Sequence, residues 1–158
     1  MRERDLADRL LRKHWAGRPL PIDPEQIARA EGLRVEALPP EDLALSGSYR
    51  RDGDQTAVFV NPEEPSVRQR FTVAHELGHH FLGHGNRFRD SSVTFSASTF
   101  DPVEAEANRF AAELLMPAVT VRALVVDRGI AKIEQLANMF GVSTVAMRYR
   151  LKNLGYLR

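Results

Sequence analysis

The chain has 158 residues, 43% hydrophobic and 27% charged, with a formal net charge of +1 and no cysteine. That is the size and make-up of one globular domain with no global pull toward nucleic acid or membrane, and the missing thiols leave His and carboxylate as the strong metal ligands. No apolar run approaches the ~18 residues of a membrane span, and no signal-peptide core follows Met1-Arg2-Glu3-Arg4-Asp5, so the expected location is the cytoplasm.

Leu6, Ala7, Leu10, Leu11 and Trp15 are spaced for an amphipathic helix, ended by Pro19 and Pro21. Asp23-Pro24 starts a second helix and Gly32 stops it. Val35 and Ala37 alternate with charged residues as in a strand. Leu45 to Arg50, then Asp52-Gly53, then Thr56 to Val60 read as a β-hairpin closed by Asn61-Pro62. Ser66 and Gln69 form a capping-box pattern that opens a helix carrying Phe71, Ala74, Leu77, Gly78 and Phe81, stopped by Gly83 and Gly85. Residues 86–100 are polar, and the alternation of Val93, Phe95 and Ala97 predicts one short strand within a loop. Asp101-Pro102 starts a helix that runs to about Leu115, before Pro117. Helical segments follow at roughly 118–127, 132–140 and 144–154, punctuated by Gly129, Gly141 and Gly155.

The most informative residues are His75-Glu76-Leu77-Gly78-His79. Positions i and i+4 share a helix face, so His75 and His79 can offer two imidazoles to one metal ion. Glu76 follows about 100° round the helix, where it can act as a general base. A metzincin site would need glycine at position 82 and histidine at 85; Leu82 and Gly85 stand there, and His84 is out of register. The other source of a third ligand is a downstream glutamate: Glu104, Glu106 or Glu113. Glu104 is favoured because Asn108 lies one turn on, where it can accept the free N–H of a ligating histidine. Glu106 points about 200° round the helix from Glu104, and Glu113 lies in an apolar stretch. The competing role for Glu104 is a capping carboxylate three residues after Asp101. His80 and His84 are expected to face solvent or to cap the helix C-terminus. Zinc is the expected metal, and manganese or iron suits the same donors. Tyr49, in a strand, is expected to serve packing rather than the oxyanion.

The stretches RFTVAHELGH (Arg70 to His79) and EAEANRFAAELLMP (Glu104 to Pro117) resemble the ImmA/IrrE family of metallopeptidases. The resemblance extends to PIDPEQIARAEGL, to the hairpin and to the C-terminal helices. It implies metal ligands at His75, His79 and Glu104, with Glu76 as catalytic base. It also implies a substrate class, transcriptional repressors of the phage type, whose cleavage releases repressed genes. The expected fold is α+β: a small, mostly antiparallel sheet packed on a zincin-like helix pair over residues 1–117, with a helical, helix-turn-helix-like segment over 118–158 packed on it.

In that last segment Leu136 to Ser143 reads as the first helix and turn of a helix-turn-helix, and Ser143 caps a second helix carrying Arg148, Arg150 and Lys152. Those three are the candidate contacts to DNA or a protein partner, with DNA not favoured. The rival to a peptidase is a DNA-binding or partner-binding regulator, for example one component of a toxin–antitoxin pair, with a purely structural metal site. An intact Glu76 favours the enzyme, since a structural site has no use for a base.

Overall fold

The computed structural model describes residues 2–90 and 101–158. Its helices are α1 (Arg2–His14), α2 (Pro24–Ala30), α3 (Ser66–Phe81), α4 (Pro102–Leu115), α5 (Ala118–Arg122), α6 (Ile133–Phe140) and α7 (Thr144–Asn153). Its strands are β1 (Arg34–Ala37), β2 (Leu45–Asp52), β3 (Gln55–Val60) and β4 (Arg87–Asp90). The sheet order is β1-β3-β2-β4. β1 runs parallel to β3, and β2 is antiparallel to both β3 and β4. The fold is α+β, with a mostly antiparallel sheet as expected. No described helix is long and apolar enough to cross a membrane.

The local signals act as their chemistry dictates. The Asp23 side chain accepts from the Glu25 and Gln26 amides at the start of α2. Asp101 does the same for Val103 at the start of α4, and Ser143 for Ala146 at the start of α7. Each satisfies backbone donors that a first helical turn cannot. Gly141, at φ 65°, closes α6 in the left-handed conformation that suits glycine.

One expectation needs correction and two are sharpened. Ser66 is the first residue of α3 rather than its cap: Pro65 precedes it and supplies no side-chain bond. Gln69 instead turns back to donate to the Glu64 and Pro62 carbonyls, at 2.8 and 3.3 Å, so it ties down the loop before the helix. The segment after Pro117 is helical to Asp127 as expected, but α5 ends at Arg122 and widens into a π-helical turn over Ala123–Asp127. A strand forms at Arg87–Asp90, ahead of the alternating Val93, Phe95 and Ala97, which lie outside the described residues.

Helix α3 organises the core, packing on α4, α2, β2 and β3. Its residues Thr72, Glu76 and His80 recur every four positions and face β2: Thr72 and Glu76 lie against Gly47, and His80 meets Tyr49. The neighbouring stripe faces α4. At Gly78 the two helices come so close that a Cβ would sit 3.1 Å from the Ala107 Cα. Residues on both sides of Pro117 enter one hydrophobic cluster, which joins Phe71, Leu77, Phe110 and Leu114 to Leu136, Phe140, Met147 and Leu151.

Candidate metal centre

Two helices and one glycine build the site. His75 and His79 stand one turn apart on α3, and Glu104 and Asn108 stand one turn apart on α4. The close approach at Gly78 brings the two pairs together. The His75 and His79 Nε2 atoms lie 3.1 Å apart. The Glu104 carboxylate spans them, with Oε1 3.1 Å from His75 and Oε2 2.9 Å from His79. Both Glu104 oxygens turn to the histidines, while Asp101 caps the helix.

Burial alone would raise the Glu104 carboxyl. The hydrogen bonds and charges of His75 and His79 outweigh it and hold the group well below the usual carboxylate range. An anionic carboxylate and two imidazole nitrogens therefore converge on one point. Both histidines are essentially fully buried. Behind them, His75 Nδ1 lies 2.8 Å from Asn108 Oδ1. An amide oxygen only accepts, so Nδ1 carries a proton, and with a metal bound Nε2 would offer its lone pair to the shared point.

This donor set fits a divalent cation. A tetrahedral ion with bonds of ~2.0–2.1 Å separates its ligands by about 3.3 Å, close to the spacing observed. Among the described residues, His75, His79 and Glu104 are the group able to hold a metal. Glu76, the next residue after His75, is completely buried. Its Oε1 approaches Gly47, where an added Cβ would stand 3.7 Å away.

A family model described as the IrrE N-terminal-like domain, of the M78 peptidases, matches residues 28–152. The chain belongs to this family. Within the IrrE N-terminal-like family, it is similar to "Metallopeptidase ImmA" of Bacillus subtilis (strain 168), with 35% identity over 103 residues. That alignment takes in 65% of this chain and 59% of the relative, so the chain spans less than two thirds of the relative's length. Family membership implies a metal ion, and the histidine–glutamate cluster is where the donors for one converge.

Other residues fall where the sequence did not place them. His80 does not face solvent: its Nδ1 lies in hydrogen-bond contact with the Tyr49 hydroxyl at 2.7 Å. Burial raises the Tyr49 phenol and lowers the His80 imidazole, which favours the neutral form of both. Tyr49 therefore clamps β2 to α3. His84 folds back under α3, its Nδ1 2.9 Å from His79 Nδ1. Glu106 stays out of the ligand cluster, as its angle on α4 requires, but lies 3.8 Å from His84 Nε2. Spacing on a regular helix could not reveal His84, because the chain leaves the helix at Gly83 before reaching it.

Arg150 is a correction. Its guanidinium is buried, donating to both carboxylate oxygens of Glu113 at 3.2 and 3.0 Å and to the Met116 carbonyl at 2.9 Å. It anchors α7 to α4 and cannot reach DNA or a partner. Arg148 and Lys152 are exposed on the same helix, beside Val145 and Tyr149.

Proposed function

We propose that this chain is a metal-dependent endopeptidase whose ion is held by His75, His79 and Glu104, with Glu76 as general base. The observation that carries the reading is the convergence of two Nε2 atoms and a carboxylate within about 3 Å of one another. A zinc ion, or manganese or iron in its place, supplies Lewis acidity that polarises a peptide carbonyl and acidifies a water when bound. The chain's own residues do the rest. Asn108 fixes the ring of His75, and Glu104 contributes the negative charge that keeps a dication in the site. The Glu76 carboxylate accepts a proton from the attacking water and returns it to the departing amine nitrogen.

The proposed substrate is a phage-type helix-turn-helix repressor, whose cleavage would relieve repression in the cytoplasm. The ImmA/IrrE resemblance supports that choice. The exposed Arg148, Tyr149 and Lys152 suit contact with a protein partner, since arginine and tyrosine are favoured at such interfaces. Duplex DNA is the weaker occupant, because the central cation of the helix, Arg150, is committed to Glu113.

Glu76→Gln tests the enzyme. Incubated with a candidate repressor, it should retain stoichiometric zinc yet cleave at least ~100-fold more slowly than the wild type, as loss of a general base demands. A chelator should stop the wild type. Unchanged cleavage by the metal-loaded Gln variant would remove Glu76 as the base, and no cleavage by the metal-loaded wild type would leave the regulator reading, with a structural ion, in its place.

A further inference from the structure

The turn that ends α3 is built from the metal motif itself. Gly83, at φ 72°, takes the left-handed position where a side chain would be strained. Its N–H donates to the His80 carbonyl at 3.3 Å, and the His84 N–H donates to the His79 carbonyl at 3.0 Å. These are the two bonds of a Schellman cap, in which the residue after the glycine packs back on the last helical turn, ordinarily through an apolar contact. Here both partners are imidazoles. The Nδ1 atoms of His84 and His79 are 2.9 Å apart and their ring centroids 5.2 Å. The His84 side chain is only 7% exposed, and its Nε2 lies 3.8 Å from Glu106 Oε1. Glu106 Oε2 is in turn 3.5 Å from the Arg2 guanidinium.

We propose that His84 is a positioning residue for the metal: it accepts the Nδ1–H of His79 and so fixes the Nε2-ligating form and ring angle of that ligand. The inference rests on His75, His79 and Glu104 being the ligands. Two facing Nδ1 atoms can bond only if one donates and the other accepts. His79 must keep its Nε2 lone pair for the ion, so His79 donates. His84 then carries its own proton on Nε2, on the side of Glu106, and the Glu106 carboxylate favours that form. The second ligand thus has an outer partner equivalent to the one Asn108 gives the first. A helix cap, rather than a facing helix, supplies it.

The test compares zinc affinity, by competition with a chromophoric chelator, in the wild type, His84→Phe and His84→Gln. Phenylalanine keeps a ring in the cap but cannot accept a hydrogen bond; glutamine has an oxygen that can. The expected result is affinity about 10–100-fold weaker for His84→Phe, the usual cost of losing an outer-shell partner, with most of it regained in His84→Gln. Nitrogen-15 spectra of the zinc-loaded wild type should show His84 protonated at Nε2 and His79 at Nδ1. These spectra decide the matter even if the phenylalanine variant does not fold. Wild-type affinity in His84→Phe, or a His84 ring protonated at Nδ1, would overturn the proposal. A wild-type protein that takes up no zinc would overturn the ligand assignment itself, before any variant is compared.

Discussion

A residue without a side chain decides how near β2 comes to α3. Gly47 in β2 lies under α3, where an added Cβ would stand 2.5 Å from the Thr72 methyl and 2.6 Å from the Phe59 carbonyl oxygen. The carbonyl belongs to the sheet and cannot step aside. Gly47→Ala should therefore destabilise the protein by about 1–3 kcal/mol in urea titrations, as overpacking of a close contact does, and should shift β2 away from Glu76. Asn108 acts at the same scale through one bond. Asn108→Ala removes the acceptor behind His75; chelator competition should show zinc affinity about 10–100-fold weaker, while Asn108→Asp, which keeps the acceptor, should lose much less.

At the scale of elements, the metal centre depends on how α3, α4 and α7 are fastened together. The Glu113–Arg150 pair is the clearest fastening between α4 and α7, with both side chains less than 10% exposed. Removing one partner strands the other charge without a counterion. Glu113→Ala should cost about 3–5 kcal/mol of unfolding free energy by urea denaturation, in the range expected for breaking a buried pair. Arg70 does a related job for α3: its guanidinium donates to the Ile22, Phe140 and Gly141 carbonyls and so ties the helix to the chain before α2 and to the end of α6. The π-helical turn at Ala123–Asp127 sits between these fastened elements.

For the whole molecule, the first helix is drawn in by charge as well as by apolar packing. Glu3 on α1 accepts from Arg109 on α4 at 2.9 Å. Burial pushes the Glu3 carboxyl up, but its own backbone N–H and the Arg109 guanidinium outweigh it and leave it below its ordinary value of 4.5. A carboxyl that is more acidic in the folded state stabilises the fold above its unfolded value, and that stability is lost as the pH falls toward and below the folded value. Wild type should exceed Glu3→Gln by about 1 kcal/mol at pH 7. The gap should narrow as urea titrations are taken below pH 4.5 and vanish once the folded carboxyl is itself protonated.

Much of this protein was legible in the chain because the deciding signals are local. Caps at Asp23, Asp101 and Ser143 depend on a side chain reaching its own backbone two or three residues on. The pairs His75–His79 and Glu104–Asn108 follow from one helical turn. Local spacing also separated Glu104 from Glu106, because the two lie on different sides of α4. What the tertiary structure alone decided involves contacts between elements, which no periodicity encodes. Arg150 looked like an exposed cation until α4 placed Glu113 against it. His80 and Tyr49 became a clamp only when β2 crossed α3. His84 joined the metal centre because a left-handed glycine turned the chain back on itself, and Gly78 earned its place in the motif because Ala107 lies against it. Residue types and spacing determine which donors can point the same way; only packing brings α3 and α4 close enough for those donors to meet.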